Sequence, residues 1–143
     1  MARVIGAQTS YGYEYVGLYA SPVSTMETDR YWFSIISCIS KQKVALLQGQ
    51  HDTGKTQTYR QLALTFAKNS MVFDCSSSVT PSVLRKLLTG ASYMGSWICF
   101  EQVTNLPEEV LSVFAQHLFR IQEALALSAK DVRIGDKPLL LNP

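Results

Sequence analysis

The eight residues Gly49-Gln50-His51-Asp52-Thr53-Gly54-Lys55-Thr56 constrain the fold of this chain more than any other stretch. They satisfy G-x-x-x-x-G-K-[ST], a loop whose backbone N–H groups wrap a phosphate and whose geometry requires a strand before it and a helix after it. The sequence offers both. Val44 to Gln48 is a short apolar run ending at Gly49, the profile of a buried strand. A helix is expected from about Thr56 to Lys68, with Leu62, Leu64 and Phe66 among its packing residues. Each loop position has a chemical reason. Gly49, Thr53 and Gly54 form the cradle, and Gly54 allows the backbone to approach the anion closely. The helix aims its positive end at the same anion. Lys55 reaches the outer phosphates as a point charge, and Thr56 offers a hydroxyl to Mg²⁺. A phosphate-bearing ligand with Mg²⁺ is therefore expected.

The remaining chain alternates strands with helices. Residues 1–28 are rich in Tyr, Gly, Ser and Thr and read as an irregular leader with short extended pieces. Thr28 or Asp29 is a candidate cap for a helix running to about Ser40. Met71 to Cys75 reads as a second strand, and Pro81 suits the first turn of a helix carrying Val83, Leu84, Leu87 and Leu88, with Gly90 and Gly95 ending the segment. Ser96 to Phe100 reads as a third strand. Pro107-Glu108-Glu109 opens the longest helix, whose apolar stripe is Val110, Leu111, Phe114, Leu118, Ile121 and Leu125. His117 is assigned to that helix's surface or an interface, and Trp32 and Trp97 to packing. Asp131 to Pro143 reads as a hairpin with its turn at Gly135-Asp136 and a last strand at Leu139–Leu141. This order implies an α/β fold with a parallel sheet covered on both faces.

Composition narrows the function classes. With 143 residues, 47% hydrophobic and 17% charged, the chain is one folded domain's worth and not a disordered segment. The net charge of +2 is scattered, which gives no support to a nucleic-acid or membrane-surface partner. The longest apolar runs, such as Val44–Leu47 and Leu139–Leu141, fall far short of the roughly 20 residues that span a bilayer. Cys38, Cys75 and Cys99 show no metal or disulfide spacing and read as reduced thiols. MARVIGAQTS lacks the apolar core of a secretory signal, so an intracellular, cytoplasmic setting is expected.

A phosphate loop of this kind works with a second strand ending in an acid. Trp97-Ile98-Cys99-Phe100-Glu101-Gln102 supplies it, with Glu101 where the metal-holding residue belongs and Gln102 where a water-activating glutamate would stand. An amide cannot take a proton as a carboxylate does, but it can orient water by hydrogen bonds.

At this point the chain resembles a known family, the dynein heavy chain, in its first AAA module. Gly49–Gln57 is similar to that module's nucleotide loop, and Trp97–Gln102 to its W-x-C-F-D-E strand. Tyr11-Gly12-Tyr13-Glu14-Tyr15-Val16-Gly17 resembles the segment that opens the module, and Thr28-Asp29-Arg30 a triplet before its first helix. Val72-Phe73-Asp74-Cys75-Ser76 resembles its V-F-N-C-S strand, and residues 109–122 its long helix. The matches are collinear from Tyr11 to the C-terminus.

The resemblance implies an incomplete AAA-type P-loop NTPase, a three-layer sandwich around a parallel sheet. Residues 1–28 would be the leader on the adenine side and 29–143 the N-terminal part of the ATP-binding domain. The tyrosines at 11, 13, 15 and 19 either lie near the nucleotide base or merely pack on the core. It also implies microtubule-based movement in the cytoskeleton or a cilium or axoneme. Other dynein modules or subunits would be the partners, and microtubules only indirect ones. By the same resemblance Asp131–Pro143 corresponds to the hairpin before the sensor-one strand, or Asn142 imitates the sensor asparagine. The sensor strand, arginine fingers, lid, linker and stalk are then expected to lie outside this sequence, which is not a motor by itself.

The departures fall on the chemistry. The family loop reads G-P-A-G-T-G-K-T, so Gln50, His51 and Asp52 replace Pro, Ala and Gly, and Glu101-Gln102 replaces Asp-Glu. Asp52 puts a carboxylate beside the phosphate site and a side chain where a positive φ would favour glycine, although Asp tolerates that region better than most residues. Two readings follow: an ATP–Mg²⁺-binding module with impaired hydrolysis, or a nucleotide-free interaction module that keeps the fold. A P-loop small-molecule kinase is a third, unsupported by the flanking matches. Whether the chain is an enzyme is left open by the sequence.

Overall fold

In the computed structural model, residues 2–4, 7–17, 23–129, 131–134 and 137–141 are described. They form β1 (Ala2–Val4), β2 (Ala7–Thr9), α1 (Met26–Ser40), α2 (Lys55–Thr65), β3 (Ser70–Asp74), α3 (Pro81–Met94), β4 (Trp97–Glu101), α4 (Glu108–Ala126), β5 (Asp131–Ile134) and β6 (Lys137–Leu140). A 3₁₀ turn, Val103–Asn105, lies between β4 and α4. Packing divides the chain into two compact units, Met1–Ser70 and Met71–Pro143. The sheets are three pairs: β1 with β2 antiparallel, β3 with β4, and β5 with β6 antiparallel. The mixed α/β architecture with a small parallel sheet agrees with the expectation of part of an AAA-type P-loop domain.

In the first unit α2 is the central element. Leu62 and Ala63 are fully buried, joined by Tyr59, Phe66 and Ala67 and by Ile35 and Ile36 of α1. Trp32 of α1 buries its ring partway and donates its indole N–H to Thr58 O at 3.2 Å. The cap of α1 is Thr25, and Thr28 is its reciprocal partner in a capping box: each side-chain oxygen accepts from the other's backbone N–H. Thr28 or Asp29 as the cap is thereby corrected, because the Thr25/Thr28 pair satisfies two N–H groups where a cap at residue 28 would serve one.

The second unit has its own core of Cys75, Leu84, Leu88, Leu106, Val110 and Phe114. Phe100 of β4 stands edge-on to Phe114 of α4 at 4.8 Å and to Phe73 of β3 at 6.1 Å. Pro81 opens α3 and left-handed Gly95 closes it; the helix runs on through Gly90. The Cys75 N–H donates to Glu101 O, tying the ends of β3 and β4 together. Ala124, Val132 and Ile134 form a further cluster that seats the β5–β6 hairpin on α4. The expected turn at Gly135-Asp136, and Asn142, lie outside the described residues.

Two further expectations are corrected. Residues 44–48 form no strand. Val44 and Leu46 are 57% and 83% exposed, whereas Ala45 and Leu47 are half-buried. An apolar run is only half of a buried strand. The other half is a ladder of backbone bonds to a partner, and among the described residues none reaches this segment. His117 is buried, not on the surface. It sits three residues after Phe114 and seven before Ala124, on the packed stripe of α4, and its Nδ1 has no hydrogen-bond partner among the described residues. Burial, with Arg120 and Arg85 nearby, pushes the imidazole below its ordinary range and favours the neutral form.

Three helices end on a non-glycine residue in the left-handed region: Gln42, Ala67 and Ser128. Each is followed by an N–H that returns to a carbonyl five residues back: Lys43 to Cys38, Lys68 to Ala63, and Ala129 to Ala124. This turn stops α2 at Thr65, short of the Lys68 that its apolar pattern suggests. It also exposes carbonyls that the leader takes up. Gly12 N–H donates to Phe66 O at 2.9 Å and Glu14 N–H to Ala67 O at 3.0 Å. A Cβ on Gly12 would lie 2.2 Å from Ala67 O. Gly12→Ala is therefore expected to push the leader off the end of α2 and to cost about 1–3 kcal/mol. Urea denaturation of the two chains measures this; a difference below about 0.5 kcal/mol, the usual scatter of surface substitutions, would contradict the docking.

Candidate functional site: the loop before α2 and the end of β4

The loop 49–54 joins an irregular apolar segment to the first turn of α2. Two of its residues occupy the left-handed region: Asp52 at φ 57° and Gly54 at φ 80°. Asp52 thus adopts the positive φ at the position where the resembling family carries glycine. Its carboxylate Oδ2 lies 2.9 Å from His51 Nδ1, and both side chains are exposed. Gly54 is the N-cap of α2 and gives no side-chain cap; its carbonyl accepts from the Thr58 N–H and hydroxyl, both at 2.9 Å.

Lys55 gathers the loop. An ammonium has three N–H donors and no acceptor, and its Nζ donates to Gly49 O at 3.1 Å, to Gln50 O, and to Thr53 Oγ1 at 3.2 Å. The Thr53 hydroxyl in turn donates to Gln50 O at 3.0 Å. Gly49, Thr53, Gly54 and Lys55 are thereby drawn into one turn, with Thr56 half-buried behind them in the first turn of α2. The cluster holds a positive charge over the start of a helix whose first amides lack a side-chain cap. Both features favour an anion. The exposed Asp52 carboxylate opposes it.

In the second unit, Glu101 ends β4 and is half-buried, and its carbonyl accepts the Cys75 N–H. Gln102 follows in the left-handed region at φ 52° and caps the 3₁₀ turn. Its side-chain oxygen accepts from Asn105 Nδ2 at 2.7 Å. Glu101 and Gln102 belong to a different unit from the loop. Among the described residues no group of three or more His, Cys, Asp or Glu side chains converges as a metal cluster. Of the three thiols, Cys75 is buried, and burial followed by the neighbouring Asp74 pushes it further from ionisation.

Sequence reasoning singles out His51 and Asp52 but not their pairing, and it does not pick out the docking of Gly12 or the bond from Asn105 to Gln102. Asn105 carries one signal: it stands three residues after Gln102, the spacing that stacks side chains in a 3₁₀ turn.

A mixed α/β chain with a small parallel sheet is the architecture of part of an AAA-type P-loop domain. The model of the family described as the hydrolytic ATP binding site of the dynein motor region matches residues 11–143. The chain belongs to that family. Over 141 residues it is 33% identical to human dynein axonemal heavy chain 3, covering 99% of this chain and 3% of that protein. Over 126 residues it is 34% identical to human dynein axonemal heavy chain 6, covering 88% of this chain and 3% of that protein. Mouse dynein axonemal heavy chain 12 is 33% identical over 141 residues, which cover 99% of this chain and 5% of that protein. The chain spans only about 3–5% of the length of these curated relatives. No described helix is long and apolar enough to cross a membrane.

The two loop glycines have different tasks. A Cβ on Gly54 would meet nothing within 4 Å but would be forced to φ 80°, whereas one on Gly49 would sit 3.5 Å from Thr53 Oγ1, an ordinary contact. Gly54→Ala should cost about 1 kcal/mol from backbone conformation alone. Gly49→Ala should stay within about 0.5 kcal/mol of the parent. Chemical denaturation of both variants checks this; equal effects would show that Gly54 is not held in the left-handed region.

Proposed function

We propose that the chain is the nucleotide-binding part of the first AAA module of an axonemal-type dynein heavy chain, binding ATP with Mg²⁺ and hydrolysing it poorly. Residues 1–28 serve as its leader and residues 29–143 as the N-terminal part of the ATP-binding domain. One observation carries this reading: Lys55 Nζ draws Gly49 O, Gln50 O and Thr53 Oγ1 around one positive charge at the start of α2. Left-handed Gly54 shapes the turn without a side chain in the way.

These residues fit a nucleotide's phosphates. Lys55 exchanges its loop oxygens for phosphate oxygens, Gly49, Thr53 and Gly54 supply the backbone cradle, and Thr56 gives a hydroxyl to the metal. Mg²⁺ neutralises phosphate charge when bound, and it is commonly held by one or two protein oxygens together with the phosphates. Glu101 is the carboxylate offered for that purpose. Gln102 occupies the water-activating position as an amide that takes no proton, so turnover is slow. A general base at such a position typically contributes roughly 10²–10⁴-fold.

The names of the relatives support an axonemal or ciliary setting, with other parts of a dynein heavy chain as partners and microtubules reached only through them. The second reading, a nucleotide-free interaction module, is favoured by the exposed Asp52 carboxylate in the loop. Titration with a fluorescent ATP analogue separates the two. The parent chain should bind, and Lys55→Ala should weaken binding at least about tenfold, which is about 1.4 kcal/mol. No binding by the parent would establish the second reading, and equal binding by both chains would remove the loop from the site.

A further inference from the structure

We propose that Thr58 is a positioning residue for the phosphate loop, whose hydroxyl pins the Gly54 carbonyl and so aims the Lys55 backbone N–H toward a phosphate oxygen. The inference rests on the proposed nucleotide site, and every residue in it lies in the first unit. Thr58 holds the Gly54 carbonyl twice. That oxygen accepts the Thr58 backbone N–H at 2.9 Å, the ordinary bond of a first helical turn, and also the Thr58 hydroxyl at 2.9 Å. Packing does little to fix the same peptide. Gly54 sits at φ 80° and ψ 14°, and a Cβ there would meet nothing within 4 Å. Thr58 is itself tied to α1, because Trp32 donates its indole N–H to Thr58 O at 3.2 Å.

A planar trans peptide carries its C=O and its N–H in opposite directions. Gly54 O is drawn along α2 toward Thr58, so the Lys55 N–H of the same peptide points out of the helix start. That amide is among the first four of the helix, which have no intrahelical partner, and the Gly54 N-cap has no side chain to offer it. Glycine turns more freely than other residues, and a tilt of this peptide would swing the Lys55 N–H off an anion. The hydroxyl bond restrains the tilt. Gly54 O keeps the Thr58 N–H when the hydroxyl is removed, so no acceptor is orphaned. Removal should therefore disturb aim and spare stability. Thr65 offers a comparison within the same helix. Its hydroxyl makes the same kind of bond, to Gln61 O at 2.8 Å, at the end of α2 away from the loop.

Titration of the full chain with a fluorescent ATP analogue and Mg²⁺, run beside urea denaturation, tests this. Thr58→Val keeps the branched shape and removes the hydroxyl. It should weaken binding about fivefold, the order that one net hydrogen bond sustains, with the denaturation midpoint unchanged. Thr58→Ser restores the hydroxyl and should bind like the parent. Thr65→Val should bind like the parent too. In the parent itself, the Lys55 backbone amide proton should move downfield in NMR spectra as ATP with Mg²⁺ binds. Parent-like binding by Thr58→Val would overturn the proposal and leave the nucleotide site standing. So would a Lys55 amide that does not respond to bound nucleotide. Binding by Thr58→Ser as weak as by Thr58→Val, an equal loss in Thr65→Val, or a loss in Thr58→Val that comes with a lowered midpoint would assign the hydroxyl to the helix alone and overturn the proposal. Failure of the parent to bind would overturn the nucleotide site, and with it the role of Thr58.

Discussion

Every α-helix leaves N–H groups without partners at its start and carbonyls without partners at its end, and in the first unit both ends of α2 are put to use. The left-handed Ala67 closes the C-terminal end, and the leader's Gly12 and Glu14 amides take up the carbonyls of Phe66 and Ala67. Trp32 ties α1 to the middle of the helix through Thr58 O. The N-terminal end receives no side-chain cap, because Gly54 has no side chain to give. A buried spine of Leu62 and Ala63 holds these attachments in register. The loop's shape therefore depends on a helix that is anchored at its far end by the leader.

Charge within the loop follows from that arrangement. The helix start is positive, and Lys55 adds a full charge whose three donors are met by loop oxygens. Asp52 is the one residue that works against an anion. Its backbone nonetheless keeps the left-handed turn, and its carboxylate pairs with His51. Conformation at this position is preserved while its electrostatics are altered. That separation bears on both functional readings, because the shape of a phosphate loop and its affinity for phosphate are set by different atoms.

Much of this was legible in the sequence, and the unreadable parts share a physical cause. The loop motif, α2, the acid at the end of β4, the proline at the start of α3 and the terminal hairpin are local patterns, each fixed by neighbours within a few residues. Residues 44–48 read as a strand because a short apolar run matches a buried strand's composition, whereas a strand also needs ladder bonds supplied from elsewhere in the fold. The burial of His117 lay within reach, since it falls on the stripe with Val110, Phe114 and Ala124; its polarity argued for the surface and packing overrode it. Gly12 could not be identified, because its requirement comes from a carbonyl more than fifty residues away along the chain. Asn105 is not legible because its bond to Gln102 depends on a left-handed residue opening a 3₁₀ turn, which no local pattern signals.

The central claim is that the turn from Gly49 to Thr56, at the start of α2, receives the phosphates of a nucleotide. Amide hydrogen exchange of the chain with and without ATP and Mg²⁺ addresses it at the backbone itself. The account predicts slower exchange concentrated in residues 50–57, where the loop amides and the uncapped first turn of α2 would meet phosphate oxygens, with little change in β5 and β6. Unchanged exchange across residues 50–57 at saturating nucleotide would contradict it.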